Sequence, residues 1–225
     1  MFAVNVANAE LLHLLQLASS SLPVGAYSYS EGLELLVEQN VVDKRDKLCC
    51  WIERELCEGT IRIEAAVMLR AVENWPDRDC LEAWNAWLSA SRETQELRQQ
   101  SWQMGESLLR LMASLQPELR SFAEIKPCNY AIAWGIAIAA WQIDPKDAIA
   151  AYLHAWAANL VSAGVKLIPL GQTEGQQILF GLRDRILTAT REIIALQDDE
   201  LDSCTWGLSL ASMNHETQYT RLFRS

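Results

Sequence analysis

Residues 145–170 read PKDAIAAYLHAWAANLVSAGVKLIPL, and this stretch decides the fold. Asp144 can cap a helix whose first position is Pro145, where the fixed φ of proline suits a helix. Apolar residues then recur at alternating spacings of four and three, which is the period of one helix face. They are Ile149, Leu153, Trp156, Leu160, Ala163 and Leu167. Pro169 and Gly171 end the pattern, so the stretch predicts one long helix packed along an apolar seam.

Helical patterns also occupy the rest of the chain. Apolar seams with the same spacing run through residues 97–115 and 179–196, and residues 129–143 form a nearly uncharged segment that predicts a central, surrounded helix. Shorter helices are predicted at 10–18 and 60–74, and another after Asp77. The 97–115 seam consists of Leu97, Ser101, Met104, Leu108, Leu111 and Leu115. It fits a core helix better than a coiled coil with a partner, although both give this local pattern.

Three further helix starts are predicted from capping residues. Ser28 and Glu31 have the spacing of a capping box, which predicts a helix through about Gln39. Asp43 predicts the cap of a helix that ends near Gly59, and Thr173 with Gln176 predicts another capping box. No segment alternates apolar and polar residues. We therefore expect one all-α domain over residues 1–225, a helical bundle of roughly nine or ten helices.

Composition restricts the classes of partner. The chain has 19 Lys and Arg against 29 Asp and Glu, a net charge of −10, which disfavours nucleic acid and fits either simple solubility or a basic partner. The N-terminus has no basic signal-peptide region. The apolar stretch 148–170 contains His154, Asn159 and Lys166, which would be costly in lipid, so we expect a buried helix and no membrane span. A cytoplasmic protein is expected.

Residues that could carry chemistry are scattered. Cys50 and Cys57 lie seven residues apart, two helical turns or about 10 Å, which is too far for one metal ion to bridge. The histidines His13, His154 and His215 are distant in sequence, and there is no phosphate-binding loop. We expect free thiols, no metal site, no cofactor and no catalytic residues. The pattern favours a binding module over an enzyme, with a helical enzyme of unknown type as the weakest alternative.

Three segments are unusual for a plain helical bundle. Residues 19–34, SSSLPVGAYSYSEGLE, and residues 165–176, VKLIPLGQTEGQ, combine Pro/Gly turns with charged residues. Residues 215–225, HETQYTRLFRS, end the chain with aromatic and cationic side chains, which are typical of interface anchors. Since such a tail has no evident core to join, we expect it to be mobile until a partner binds. A tail that packs on its own bundle is the alternative.

Four long segments resemble the UreF family of urease accessory proteins. They are LLQLASSSLPVGAYSYSEGLE at 14–34, SRETQELRQQSWQMGESLLRL at 91–111, AYLHAWAANLVSAGVKLIPLGQTEGQ at 151–176 and NHETQYTRLFRS at 214–225. The resemblance implies an all-helical homodimer that is not an enzyme. It implies a complex with UreD (also called UreH), the nickel-carrying GTPase UreG and apo-urease. In that complex the protein bridges UreD and UreG and couples GTP hydrolysis to nickel insertion.

The resemblance also implies which residues bind partners. Residues 214–225 are a tail linked to UreD binding, and Glu34 and Lys166 align with positions linked to UreG. Neither charge falls on an apolar seam, so both are expected at the surface. The full set of expected partner-binding positions is Pro23, Gly25, Tyr27, Ser30, Glu34, Lys166, Gly171, Gln172, His215, Glu216, Tyr219, Arg221, Phe223 and Arg224. The alternative function is a GTPase-activating regulator that supplies a residue to the UreG active site.

Overall fold

Helices make up most of the computed structural model of the chain, which describes residues 6–202, 211–214 and 221–224. No residue in these ranges lies in a β-strand, which confirms the all-α prediction. Residues 211–214 form a further helical turn. The nine α-helices of the described part are α1 (Val6–Leu17), α2 (Leu33–Glu38), α3 (Arg45–Glu58), α4 (Thr60–Glu73), α5 (Arg78–Ser91), α6 (Gln95–Leu115), α7 (Tyr130–Trp141), α8 (Pro145–Leu167) and α9 (Gln172–Ala195).

The two apolar helices α7 and α8 form the centre of the fold. Helix α7 packs between α4 and α6, and α8 packs against α9, α4, α2 and α3. At Gly135 of α7 an added Cβ would lie 2.5 Å from the Cβ of Ala71, so glycine lets α7 approach α4 closely. By length and composition α8 could cross a membrane, but half of its apolar window is buried inside the protein. Its apolar character is therefore explained by its central position in the core.

The helix starts that were predicted at Asp77 and Asp144 are confirmed. Asp77 accepts hydrogen bonds from the backbone N–H groups of Asp79 and Cys80 at the start of α5. Asp144 accepts from Lys146 and Asp147 at the start of α8, with Pro145 at the first helical position. These side chains satisfy N–H groups that have no partner inside the helix.

The predicted Ser28–Glu31 capping box is wrong. Glu31 has a left-handed backbone with φ 52°, and α2 begins only at Leu33, after Gly32 with φ 79°. The Glu31 carboxylate does not return to the backbone. It accepts hydrogen bonds from Gln100 Nε2 at 3.0 Å and from Trp156 Nε1 at 2.8 Å. Contacts with distant helices therefore prevail over the local capping signal at this residue.

Two other predicted caps are also displaced. Asp43 does not cap α3, which starts after Lys44; its carboxylate pairs with Lys47 over 2.9 Å. The predicted Thr173 cap fails because α9 already begins at Gln172, where Glu174 accepts the N–H of Gly171 over 2.8 Å. Both errors move a helix start by one or two residues and leave the order of the helices unchanged.

The seam predicted over residues 97–115 rotates along α6. Leu97, Met104 and Leu108 are buried, but Leu115 at the end is 49% exposed, and Leu109 and Met112 are buried instead. An α-helix has 3.6 residues per turn, so a pattern with a mean period of 3.5 drifts around its surface. Since α6 packs along α7, the interpretation as a core helix of the same chain is confirmed.

Candidate partner-binding site

The end of the chain docks on the segment that precedes and begins α2. The Glu34 carboxylate accepts the backbone N–H of Leu222 at 2.6 Å and that of Phe223 at 2.9 Å. The N–H of Arg224 donates to the carbonyl oxygen of Ser28 at 2.9 Å. Glu34 is only 8% exposed, so its charge is held largely out of water by these donors. Three consecutive backbone groups of residues 222–224 are therefore fixed.

Phe223 and Lys166 connect the docked tail to the C-terminal end of α8. The Phe223 side chain is buried, with 5% exposure. Lys166 is exposed in the last turn of α8, and its Nζ lies 5.5 Å from the centroid of the Phe223 ring. This distance suits a cation–π contact, which leaves the ammonium in solvent. Glu34, Lys166 and Phe223, which come from three distant parts of the sequence, thus form one surface, here called the tail-docking surface.

The two arginines of the tail behave differently. Arg221 pairs with Glu96 in the first turn of α6, with its Nη1 2.5 Å from Glu96 Oε1. Arg224 is exposed although its backbone N–H is anchored to Ser28. Arg221 therefore stabilises the docked tail, whereas the Arg224 guanidinium is presented at the surface.

The helical turn at 211–214 provides a second attachment. A Cβ added to Gly32 would lie 3.2 Å from both Ala211 Cβ and Ser212 N, so the turn packs directly on this glycine. The hydroxyls of Ser212 and Thr94 are 2.9 Å apart and buried, and Thr94 also accepts the N–H of Leu97 to cap α6. A side chain at Gly32 would press on the turn, and its φ of 79° would strain any other residue.

The structure brings only part of the expected site together. Near the docked tail, Pro23 and Tyr27 are exposed, Gly25 adopts φ 80° and Ser30 is fully buried, so Ser30 is a core residue with no surface for a partner. The three expected tail residues His215, Glu216 and Tyr219 lie outside the described residues.

Gly171 and Gln172 are exposed at the start of α9, five and six positions after Lys166. They lie beyond the end of α8, and of the expected residues in this turn it is Lys166 that contacts the docked tail. Their place in a partner site stays a prediction.

Two expectations about the tail-docking surface are wrong. Residues 221–224 do have a core to join, because Phe223 is buried and hydrogen bonds anchor the backbone around it. Glu34 is a buried acceptor for the tail, not a surface charge. The alternative interpretation, in which the tail packs on its own bundle, describes these residues. Lys166 is exposed, as predicted.

Sequence reasoning missed Glu96, which holds the tail through Arg221, and Gly32 and Ser212, which attach the helical turn at 211–214. Glu96 and Arg221 carry opposite charges, but 125 residues separate them and no local pattern joins them. Gly32 offered a weak signal, because a glycine directly before an apolar helical run marks a special backbone conformation.

Metal and thiol chemistry receives no support from the described residues. They contain no group of three or more His, Cys, Asp or Glu side chains arranged to hold a metal ion. Cys49, Cys50, Cys57, Cys80 and Cys128 are free thiols, as predicted for this part of the chain. Burial raises the pKa of the Cys49 and Cys57 thiols, with Glu53 adding to the effect at Cys49, so neither is activated as a thiolate.

The family model for UreF matches residues 42–183, which is more than half of the chain. The chain belongs to the UreF family of urease accessory proteins. Full-length relatives with the same description agree. The urease accessory protein UreF of Nostoc sp. is 59% identical over all of both chains. That of Microcystis aeruginosa is 57% identical over 96% of this chain and 98% of its own. That of Alkalilimnicola ehrlichii is 39% identical over 94% of each.

The UreF family model covers only part of the tail-docking surface. Lys166 falls within the matched residues 42–183, whereas Glu34 and Phe223 fall outside them. The relatives from Nostoc and Trichormus variabilis align over the whole chain and so include both ends. The surface is therefore built from residues inside and outside the part that the UreF family model covers.

Proposed function

We propose that this UreF-family protein is a non-catalytic cytoplasmic scaffold that bridges UreD (UreH) and the GTPase UreG. In this role it acts as a chaperone of metallocentre assembly and is required for nickel insertion into apo-urease. It couples GTP hydrolysis on UreG to delivery of the metal. One observation carries the proposal: three of the four sequence segments that resemble the family meet at the tail-docking surface, where Glu34, Lys166 and Phe223 make contact.

The surface offers distinct contacts for two partners. Tyr27 and Leu222 are 72% and 65% exposed, and they lie on the segment beneath the tail and on the tail itself. Exposed aromatic and aliphatic side chains of this kind suit an apolar contact with UreD. Lys166 and Arg224 are both exposed at the same surface and supply cationic groups for UreG. Phe223 is not available to a partner, because it is already buried in its own protein.

A homodimer is supported by a separate face. Leu11, Leu12 and Leu15 of α1 are 53%, 66% and 58% exposed and lie one turn apart on one side of the helix. Three neighbouring exposed leucines are costly in water, and pairing of the same face on two copies would cover them. We propose that α1 contributes to the dimer interface.

Co-purification tests the scaffold. Tagged protein that is co-expressed with UreD and UreG should recover both partners. Leu222→Ala should weaken recovery of UreD without lowering the melting temperature, because the side chain is exposed. Leu115→Ala removes another exposed leucine, at the end of α6, and is the matched control. The proposal is contradicted if Leu222→Ala recovers as much UreD as the control does. It is also contradicted if the wild-type protein recovers neither partner.

A second candidate function is activation of UreG by an inserted residue. The observation in its favour is Arg224, whose backbone is fixed by Ser28 while the residue stays exposed. A fixed, exposed arginine can stabilise charge on a transferring phosphoryl group, an effect of about 10³–10⁵ in turnover in known GTPase systems. GTP turnover by UreG should then fall with Arg224→Ala and also with Arg224→Lys. Unchanged turnover in both variants would exclude activation by Arg224 and would leave the scaffold as the proposed function.

A further inference from the structure

An interior cavity of about 160 Å³ lies between the 17–27 segment, α6 and α8. Its apolar wall includes Leu17, Leu22, Val24 and Met104. Its rim carries Ser20, Tyr27 and Ser162, which are exposed, so the cavity opens to the surface at this end. None of Glu34, Lys166 and Phe223 lines it, so the cavity is distinct from these three contacts, although Tyr27 at its rim also lies on the segment beneath the docked tail.

The inner wall of the cavity holds three charged residues. Glu64 is paired with Arg92, with Oε1 2.6 Å from Arg92 Nη1, and its other oxygen accepts from the hydroxyl of Tyr152 at 2.8 Å. The Glu31 carboxylate accepts only from neutral groups among its described hydrogen bonds, the amide of Gln100 and the indole of Trp156. Among the described residues of the lining, two carboxyl groups, those of Glu31 and Glu64, therefore face one cationic side chain, that of Arg92.

Burial raises the pKa of Glu31, and the nearby charge of Glu64 raises it further. The hydrogen bonds from Trp156 and Gln100 and the charge of Arg92 act in the opposite direction. A carboxylate in this position is stabilised by a proton or by a cation. A cation in the cavity would supply the missing charge.

Aromatic rings form much of the wall around this charge. Trp134 and Tyr152 contact each other edge to face with centroids 5.1 Å apart, and Tyr130 lies 5.9 Å from Tyr152. Trp156 adds a fourth ring beside Glu31. Aromatic rings and a carboxylate line the same cavity, and both kinds of group attract organic ammonium ions.

The same groups disfavour a divalent metal ion. Both oxygens of Glu31 and both oxygens of Glu64 already accept hydrogen bonds or pair with Arg92. The described residues that line the cavity include no histidine or cysteine. Divalent ions require several direct ligands, and an aromatic wall provides none.

We propose that this cavity binds a small organic cation, a primary ammonium on a short apolar chain. The ammonium is held by Glu31 among the aromatic rings, and the chain lies against Leu17, Leu22 and Met104. The size is suitable, because a cavity of about 150 Å³ accommodates a molecule as large as benzene. This goes beyond the scaffold role, which involves a different surface.

The experiment is a calorimetric titration of the full chain at pH 8 with n-butylammonium chloride. We expect saturable binding at one site per chain, binding of n-butanol weaker by about tenfold or more, and no binding of butyrate. Glu31→Gln should weaken n-butylammonium by about tenfold and leave n-butanol unchanged, since Gln100 can turn its amide to satisfy the new side chain. Glu118→Gln makes the same change at an exposed acid and should bind as the wild type does.

A second variant tests the location without changing charge. Ala158 lines the cavity from α8, and Ala158→Leu should fill the space and remove binding of both n-butylammonium and n-butanol. The proposal is overturned if n-butanol binds as tightly as n-butylammonium, if Glu31→Gln or Ala158→Leu binds as the wild type does, or if no saturable binding occurs. Competition by nickel chloride would assign the cavity to a metal ion and would equally overturn it.

Discussion

Phe223 donates its backbone N–H to Glu34 Oε2 over 2.9 Å, across 189 residues of sequence. The neighbouring N–H of Leu222 donates to the other carboxylate oxygen at 2.6 Å, so one side chain holds two consecutive residues of the tail. The role of Glu34 in this structure is therefore to hold the tail in place. Any effect of Glu34 on UreG would act through the docked tail.

Glu34→Gln should loosen the tail while the bundle stays folded. Glutamine keeps one oxygen acceptor and replaces the other with an NH2 donor, so one of the two tail N–H groups loses its acceptor and the other bonds to a neutral oxygen. Relative to the wild-type carboxylate this is a difference of about 1–2 kcal/mol. The difference predicts about 5–30-fold faster hydrogen exchange at the amides of Leu222 and Phe223. Exchange mass spectrometry measures this, with Glu118→Gln as an exposed control. Unchanged exchange in Glu34→Gln, or rapid proteolysis of the tail in the wild-type protein, would contradict the docked arrangement.

Lys166→Ala should lower nickel delivery to urease without unfolding the protein. The residue is exposed, and its contact with the Phe223 ring is worth about 0.5–1 kcal/mol. We expect a melting temperature close to that of the wild type, a tail that stays docked, and lower nickel content in urease matured with the variant. Lys166→Arg keeps the cation and should retain more activity. An unfolded or insoluble Lys166→Ala would show that the residue is structural.

Leu12→Lys combined with Leu15→Lys should convert the proposed homodimer to a monomer. Both side chains are more than half exposed, so the charges face water in the monomer and cost little stability there, whereas in a dimer they would be buried without partners. Light scattering after size-exclusion chromatography gives the mass. Leu115→Lys, at an exposed leucine of α6, should leave the mass unchanged. A dimer that survives the double change places the interface elsewhere.

Glu31→Gln should alter how stability depends on pH. The pKa of Glu31 is raised above its ordinary value of 4.5, so the folded state keeps a proton that the unfolded state has lost. This contribution is fully present below pH 4.5 and is lost as the pH rises through the raised pKa. The groups facing Glu31 are Glu64 on α4, Arg92 after α5, Gln100 on α6 and Trp156 on α8.

The glutamine variant has no such proton to lose. Its melting temperature should therefore fall less than that of the wild type as the pH is raised from 4.5 toward 8, and Glu118→Gln should follow the wild type. Parallel pH profiles for Glu31→Gln and the wild type would show that Glu31 titrates normally.

The starts of α5 and α8 were predictable because the decisive signal was local. Asp144 and Pro145 start α8, and Asp77 starts α5, because a cap needs only residues within one turn. The prediction failed at Glu31, whose carboxylate reaches α6 and α8, since no local rule describes a partner 69 or 125 residues away. The drift of the α6 seam toward Leu115 had a simpler cause, the difference between 3.5 and 3.6 residues per turn.

The geometry of the candidate site was not predictable from the sequence, and the membership of the site stays a prediction. Its residues came from the resemblance to a family, which named Glu34, Lys166 and the tail without placing them together. The composition of residues 215–225 suggested an anchor for another protein, because nothing nearby in sequence could receive Phe223. Phe223 instead contacts Glu34 and Lys166, which precede it by 189 and 57 residues.

The tail-docking surface also makes the protein sensitive to the loss of residues 221–224. Synthesis runs from the N-terminus, and the helices that receive the tail precede it in the chain. A product of translation that stops a few residues early can therefore fold its bundle but leaves Glu34 without Leu222 and Phe223, and Lys166 without its aromatic neighbour. In the proposed scaffold role, a chain without residues 221–224 would then lack the contacts of Glu34 and Lys166 with the tail, and its binding to partners should be weaker.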